Sequence, residues 1–314
     1  MHADEVPTDV DLVRRLLAAQ FPHWAGLPVE HFPSGGTVNA VYRLGDDMAV
    51  RLPRIEGGVA DVAKEHRWLP WLAPRLPVPV PTVLGLGEPA EGYPWPWSVN
   101  RWLDGVHPEA GRLAQPGPLA ADLAGFVMAL RPLDTTDAPR AYRSGPLAED
   151  DDPTRAALSD LRELGELGDR GELGDLGAVG GTIDIEAATA AWDADLRAPD
   201  WDGPPVWVHS DLMPDNLLVD GGRLSGVIDF GTMGVGDPAS DLIPAWNLFP
   251  AGVRDGFRTA LAADDATWAR GRGRALSMAL IQLPYYLHTN PRIAANARHV
   301  IREVLADHRA RSAK

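Results

Sequence analysis

One short stretch of this chain, VHSDLMPDNLLVDGGRLSGVIDFG at positions 208–231, gathers polar side chains among apolar and turn residues. His209, Asp211, Asn216 and Asp229 all lie within it. Buried polar groups are costly unless a partner satisfies them, so this concentration indicates a ligand. Carboxylate and amide oxygens are typical ligands of hard cations, and a nearby carboxylate can orient or deprotonate a hydroxyl. These residue types therefore favour metal-assisted phosphate chemistry.

A predicted β-hairpin positions two of these groups. The apolar runs 217–219 and 224–228 flank Asp220-Gly221-Gly222, which is typical of a hairpin turn. Because a hairpin brings its two ends together, we expect Asn216 and Asp229 to converge. Asp211 lies on the preceding loop, after the predicted strand in PPVWV.

The first hundred residues predict a small sheet. Positions 10–20 have apolar residues at helical spacing, and runs 40–44 and 48–52 flank the turn signal GDD. A helix is predicted over 57–76, followed by two further short apolar runs that end at 103. Beyond residue 105 the periodicity becomes helical.

One segment breaks this helical pattern. Residues 161–181, LRELGELGDRGELGDLGAVGG, form a degenerate repeat of acidic residues, leucine and glycine. Frequent glycine lowers helix propensity, so we expect a flexible insertion or surface loop. The following residues, 184–198, predict another helix.

Composition narrows the class of partner. The 314-residue chain has a formal net charge of −15, which disfavours nucleic acid and anionic membranes and attracts cationic small molecules. Cysteine is absent, which excludes disulfides, thiolate nucleophiles and cysteine-bound zinc. The N-terminal residues are acidic before they are apolar, the wrong order for a secretory signal, and no apolar stretch is long enough for a bilayer helix. We expect a soluble cytoplasmic protein, either a monomer or a homodimer.

Three linked motifs, HSDLMPDNLL, VIDFG and GVGDPASDL, resemble those of the aminoglycoside phosphotransferase family. This family comprises small-molecule kinases with a protein-kinase-like fold, and the resemblance covers most of the chain. It implies an α+β, bilobal architecture. A small β-rich N-terminal lobe, 1–103, would bind the nucleotide, and a larger, mainly helical lobe, 104–314, would carry catalysis and substrate binding.

The resemblance implies roles for the polar stretch. Asp211 would be the catalytic base that accepts the proton of a substrate hydroxyl. Asn216 and Asp229 would bind Mg²⁺ at the phosphates of ATP, with GTP as an alternative nucleotide. His209 would brace the loop rather than take part in chemistry.

Further residues are assigned to the substrate side. Asp237 would tie down its loop, whereas Asp241 would either do the same or face a substrate amine. Asp215 adds a carboxylate that would favour a cationic substrate or face water. Tyr285, on the helix near the C-terminus, is a candidate for lining the acceptor pocket, although aromatic residues at such positions are usually part of a core.

The resemblance also implies a nucleotide-binding set in the first lobe. Its members are Ser34, Gly35, Gly36, Asn39, Arg51, Glu65, Asn100 and Trp102. Arg51 stands where the family has a lysine, and the only lysines of the chain are Lys64 and Lys314. Arginine is always charged and binds phosphate in a bidentate manner, so we expect Arg51 to form the strand-to-helix ion pair with Glu65.

These observations favour an ATP- and Mg²⁺-dependent phosphotransferase that acts on a hydroxylated small molecule, with an aminoglycoside or another hydroxylated antibiotic as the favoured acceptor. A metabolic kinase acting on a sugar, homoserine or a choline-like alcohol is the first alternative. The replacement of lysine by Arg51 motivates a second alternative, a nucleotide-binding sensor without transferase activity. A metal-dependent hydrolase would need more ligands than the sequence supplies.

Overall fold

A computed structural model describes residues 5–33, 38–169 and 183–312 of the chain. The helices are α1 (Val10–Gln20), α2 (Val59–Leu72), α3 (Pro116–Leu130), α4 (Asp151–Asp169), α5 (Ile185–Leu196), α6 (Pro244–Asn247), α7 (Ala251–Ala260), α8 (Asp265–Tyr286) and α9 (Pro291–Ser312). The strands are β1 (Val29–Phe32), β2 (Asn39–Leu44), β3 (Met48–Pro53), β4 (Val83–Gly87), β5 (Trp97–Arg101), β6 (Val206–Val208), β7 (Leu217–Asp220), β8 (Arg223–Val227) and β9 (Gly234–Gly236).

The chain divides into two compact units. The first contains the described residues up to Pro108 together with 215–232, and the second contains those of 109–214 and 233–312. The β7–β8 hairpin therefore packs with the N-terminal residues, although more than a hundred positions separate them in sequence. The division into lobes at residue 103 remains a prediction.

An antiparallel sheet with strand order β1-β2-β3-β5-β4 forms the centre of the first unit. One sheet face buries apolar side chains such as Tyr42, Val50 and Val99 against α1 residues including Leu16. Strand residues alternate between faces, so the neighbours of these residues point to the opposite face. Val41, Arg51 and Ser98 are cross-strand partners and lie on that opposite face.

The second unit is largely helical and has an aromatic core. Trp192, Trp207, Trp246, Trp268 and Phe257 are fully buried. Two of these residues, Trp246 and Trp268, pack with their ring centroids 4.7 Å apart. Short strands β6 and β9 pair within this unit and lead into the polar segments that carry His209 and Asp237.

The prediction of a loop beginning at residue 161 is wrong for 161–169, which continue helix α4. Thr154, Ala157, Leu158 and Leu161 are buried at helical spacing, so packing of this face outweighs the low propensity of Gly165. Residues 170–181 of the predicted insertion lie outside the described ranges. The predicted helix over 184–198 is confirmed as α5.

The predicted α+β class is confirmed by the β-rich first unit and the largely helical second unit. Across the described part of the chain, every helix is too short or too polar to span a bilayer.

Candidate functional site

The β7–β8 hairpin brings Asn216 and Asp229 together, as its sequence predicts. Leu217 pairs with Val227 in the strand register, and the Ile228 N–H donates to the Asn216 carbonyl at 2.9 Å. The turn uses Gly221 and Gly222 with φ of +54° and +82°. These values favour glycine and account for the turn chemistry of the sequence. The two candidate metal ligands therefore flank one end of the hairpin.

Arg51 connects this end of the hairpin to helix α2. Its Nη1 lies 2.6 Å from Glu65 Oε2, and its Nη2 lies 3.2 Å from Asp229 Oδ1. The predicted ion pair between Arg51 and Glu65 is thus present. Glu65 uses its other oxygen to accept the Phe230 N–H at 2.9 Å. A single buried carboxylate therefore holds both the guanidinium and the backbone next to Asp229.

Burial disfavours the charged form of Arg51, but the carboxylates of Glu65 and Asp229 outweigh this effect and raise its pKa. The side chain of Arg51 therefore stays charged throughout the physiological range. Asp229 is the more accessible partner, with 40% of its side chain exposed against 4% for Glu65. Asp229 is therefore the solvent-exposed end of this network and Glu65 its buried end.

Several predicted nucleotide-binding residues share one face of the sheet. Asn39 on β2 and Asn100 on β5 are each two residues from a cross-strand partner of Arg51, so all three side chains lie on the same face. Trp102 follows β5 and stacks under the Arg43 guanidinium at 4.0 Å. Ser34, Gly35 and Gly36 lie outside the described residues.

We expect Asn100 to lower the free energy of unfolding. It is 3% exposed, and neither atom of its amide has a hydrogen-bond partner among the described residues. We expect Asn100→Leu, which keeps the branching, to raise the free energy of unfolding by about 1–3 kcal/mol, the cost of burying an unpaired polar group. Thermal and denaturant unfolding would measure this, with the half-buried Asn39→Leu on the same face as control. A lower unfolding midpoint for Asn100→Leu would contradict the prediction.

In the second unit, Asp241 holds the loop that carries Asp211. Asp241 is fully buried, and its two oxygens accept the N–H groups of His209 and Ser210 at 3.0 and 2.8 Å. Ser210 has a φ of +66°, a strained conformation that these hydrogen bonds stabilise. Of the two alternatives that the sequence leaves open for Asp241, this geometry favours tying the loop.

His209 is also buried, in agreement with its predicted bracing role. Its ring Nδ1 lies 3.3 Å from the Asp211 N–H, so the imidazole can accept that hydrogen bond in its Nε2-protonated form. Asn247 donates to the Leu212 carbonyl at 3.1 Å and supports the next residue of the loop. The Asp211 side chain is half-buried at the end of this braced segment.

Burial raises the pKa of Asp241 to about 6, against the opposing effects of the Ser210 and His209 N–H groups and the Arg131 charge. The raised value means that the folded state binds this proton more readily than the unfolded state. Its stabilising contribution is therefore complete below about pH 4 and is lost as the pH rises through 6, by about 3 kcal/mol in total.

The loss of this stabilising contribution with rising pH can be tested. We expect the free energy of unfolding of the unmodified protein, relative to Asp241→Asn, to fall between pH 4.5 and pH 7 because only the carboxylate ionises. Denaturant unfolding at both pH values measures the difference, and subtraction cancels all groups that the two proteins share. Asp202→Asn, at an exposed position, is the control. A difference that is constant with pH, or that grows as the pH rises, contradicts the prediction.

Asp237 is anchored from both sides. It accepts the Ala239 N–H at 2.9 Å, and Arg270 on α8 binds both of its oxygens at 2.8 and 3.2 Å. The predicted tying of this loop is therefore present. Sequence reasoning missed Arg270 and its neighbours Arg272 and Arg274, which are buried ion-pair partners. Three arginines at alternate positions inside an otherwise apolar helix are the signal that could have found them.

Asp215 and Tyr285 are the remaining candidates for substrate binding. Asp215 is half-buried in the first unit, and Tyr285 is 51% exposed near the end of α8. The Tyr285 ring packs edge-on against Tyr286 with centroids 4.7 Å apart. Both residues stay predictions for contact with an acceptor.

The donor set of Asn216 and Asp229 fits a hard divalent cation. It offers amide and carboxylate oxygens, one of which the charged Arg51 already contacts. Within 5–33, 38–169 and 183–312 there is no group of three or more histidine, cysteine, aspartate or glutamate side chains that could hold a metal ion. The two oxygen donors are too few for an all-protein cage, but they suit Mg²⁺ that is shared with phosphate oxygens and water.

Comparison with known proteins identifies a family and a similar protein. A family described as "Phosphotransferase enzyme family" matches residues 30–276. An aminoglycoside 3'-phosphotransferase from Escherichia coli is 35% identical over 80 residues, which span 21% of this chain and 28% of that protein.

Solved structures resemble nearly the whole chain. The GDP complex of wild-type aminoglycoside 2'-phosphotransferase-IIIa is 18% identical, with a TM-score of 0.69 over 96% of this chain and 100% of that chain. A macrolide 2'-phosphotransferase from Brachybacterium faecium, solved as the apoenzyme, is 25% identical, with a TM-score of 0.56 over 92% and 98%. The first likeness is one of fold alone.

Proposed function

Because this chain belongs to the phosphotransferase enzyme family, we propose that it transfers the γ-phosphoryl group of ATP to a hydroxyl of a small-molecule antibiotic. The predictions of family and of phosphotransferase activity are confirmed by the family match, and that of fold class by the similar structures. The nucleotide, the metal, the acceptor and the role of each residue belong to the proposal.

One observation carries the proposal: Arg51 bridges buried Glu65 and accessible Asp229. A fixed positive charge on this sheet face, next to a carboxylate that can take a cation, suits a triphosphate. We infer that Arg51 neutralises phosphate charge while Glu65 holds it in place. Asn39, Asn100 and Trp102 would contact the nucleotide from this face. Ser34, Gly35 and Gly36 keep their proposed role in nucleotide binding. ATP is the proposed nucleotide and GTP the alternative.

Asn216 and Asp229 would hold Mg²⁺, which when bound stabilises negative charge on the transferring phosphoryl group. The protein supplies the fixed positions of these two oxygen donors, through the hairpin register and the hydrogen bond from Ile228.

Asp211 would act on the acceptor. Its carboxylate orients the substrate hydroxyl and accepts the hydroxyl proton as the new P–O bond forms and the bond to the β-phosphate oxygen breaks, releasing ADP. Asp241 and His209 keep this carboxylate in position by holding the backbone on its N-terminal side. The Asp211 carboxylate thus lies on a loop whose backbone is held by hydrogen bonds.

For the acceptor we propose an aminoglycoside or another hydroxylated antibiotic, including a macrolide. Support comes from the names of the similar proteins and from the net charge of −15, which attracts cations. Asp215 and Tyr285 are the proposed contacts. A metabolic alcohol is the alternative acceptor. We further propose that 1–103 serves the nucleotide and 104–314 the acceptor, and that the protein works in the cytoplasm as a monomer or homodimer.

The test is nucleoside diphosphate release by the purified protein with Mg²⁺ and ATP or GTP, across aminoglycosides, macrolides and metabolic alcohols. Product mass would identify a transferred phosphoryl group. Turnover that one class of acceptor stimulates supports the proposal and names its substrate. Nucleotide binding without turnover on any acceptor would favour the sensor alternative, and failure to bind either nucleotide would refute the proposal.

A further inference from the structure

Helix α2 does more than carry Glu65: it contacts each end of the short segment Phe230–Gly231. Glu65 accepts the N–H of Phe230 at 2.9 Å, and the adjacent Lys64 donates from Nζ to the carbonyl of Gly231. Two consecutive side chains therefore bind opposite ends of a two-residue segment. This segment directly follows Asp229.

Asp61, one turn earlier on α2, completes the arrangement. Its Oδ1 lies 3.2 Å from Lys64 Nζ, which orients the ammonium group. Its carboxylate also packs against Gly231, since a Cβ added there would lie 2.8 Å from Asp61 Oδ2. Gly231 is thus required by close approach of a side chain. We refer to Asp61, Lys64 and Glu65 as the α2 clamp.

The segment needs such a clamp because Asp229 is strained. Its φ of +61° lies in the left-handed region, which costs a non-glycine residue of order 1 kcal/mol or more. Such a conformation persists only where neighbouring contacts hold it. The Ile228 N–H bond to Asn216 holds the N-terminal side, and the α2 clamp holds the C-terminal side.

We propose that Lys64 is a positioning residue for the metal ligand Asp229. By fixing the Gly231 carbonyl, Lys64 keeps the backbone of Asp229 in the left-handed conformation from which its carboxylate would hold the cation. This inference rests on the proposed function, because it concerns the Mg²⁺ that accompanies the nucleotide. Lys64 has no proposed contact with the nucleotide or the acceptor.

Removal of Lys64 should weaken Mg²⁺ binding selectively. Without Lys64, Asp229 can relax toward negative φ while Arg51 and Glu65 remain in place, so binding of the nucleotide alone is unaffected. The affinity for Mg²⁺ in the presence of nucleotide falls by about 10- to 100-fold, as for other residues that orient metal ligands. A merely structural role for Lys64 would lower the thermal midpoint without changing this selectivity.

The experiment is calorimetric titration of ATP with and without Mg²⁺, using Lys64→Met and Lys64→Arg. We expect Lys64→Met to bind metal-free ATP as the unmodified protein does but to lose most of the Mg²⁺-dependent gain in affinity. Lys64→Arg, which keeps a donor, should recover most of it. Arg67→Met removes an exposed charge from the same helix and is the matched control. Circular dichroism checks that each variant is folded.

If Lys64→Met does not fold, Gly231→Ala provides a second test because its Cβ displaces Asp61 without removing a charge. It should show the same selective loss. Equal Mg²⁺ dependence in the unmodified protein and in the variants would overturn the inference while leaving the proposed function intact. Absence of ATP binding by the unmodified protein would instead refute the proposed function, and the role of Lys64 with it.

Discussion

Asp211→Asn is expected to lower kcat by about 10²- to 10⁴-fold, the range for loss of a positioned general base. Asparagine has the same shape, so the loop that Asp241 and His209 hold should keep its conformation. It cannot accept the proton of the substrate hydroxyl. The affinity for ATP should not change, because the proposed role of Asp211 concerns the acceptor and not the nucleotide.

The measurement combines steady-state kinetics on the identified acceptor with calorimetric titration of ATP. Asp220→Asn, an exposed aspartate at the hairpin turn, is the control for removing one negative charge nearby and should retain full activity. A variant with near-normal kcat would show that Asp211 is not the base. A parallel loss of ATP affinity and kcat would show that the substitution disturbs the fold of the loop.

Arg51→Met is the second substitution with a large expected effect, and it acts on both stability and binding. It leaves Glu65 buried with its main counter-ion removed. Breaking a buried ion pair in this way destabilises proteins by about 3–5 kcal/mol. We also expect ATP affinity to fall at least about 100-fold, because charge-assisted contacts to phosphate are lost.

A double variant separates the two effects. In Arg51→Met with Glu65→Gln the buried charge is absent, so stability should largely return whereas ATP affinity should not. Denaturant unfolding and ATP titration of both single variants and the double variant measure this. Arg101→Met, which removes a surface ion-pair partner on β5, is the control and should change little. Recovery of ATP affinity in the double variant would contradict a phosphate-binding role for Arg51.

Arginine at position 51 is consistent with an active enzyme. Its two terminal nitrogens reach different carboxylates, one to Glu65 and one to Asp229. A planar guanidinium presents several donors in a fixed geometry, whereas an ammonium group is a point charge. The departure from the family's lysine therefore preserves the ion pair and adds a fixed contact to a candidate metal ligand. Arg51→Lys should consequently keep part of the stability that Arg51→Met loses.

Local features of the sequence were sufficient to predict the hairpin and the approach of its two candidate metal ligands. Turn residues between two short apolar runs determine strand pairing, and strand pairing alone brings Asn216 close to Asp229. The common face of Asn39, Arg51 and Asn100 was not predicted, because it depends on the pairing of β3 with β5, which are distant in sequence. The pairing of Arg51 with Glu65 was predicted only through the family resemblance, since the two residues lie on different elements.

Other features depended on tertiary packing. The helical continuation of α4 over 161–169 arises because Leu161 finds a buried position, and that position exists only in the folded protein. The sequence left Asp241 with two roles, and only its complete burial against the backbone of His209 and Ser210 distinguishes them.

The sequence by itself determined the family and the fold class and supplied the candidate site residues, because turn signals, strand alternation and motif spacing are local properties of the chain. Only the tertiary structure decided which residues hold those groups in place. Lys64 at Gly231 and Arg270 at Asp237 are examples. Such contacts join residues 33 to 167 positions apart, and they form only when separate elements pack closely enough for hydrogen bonds to replace water.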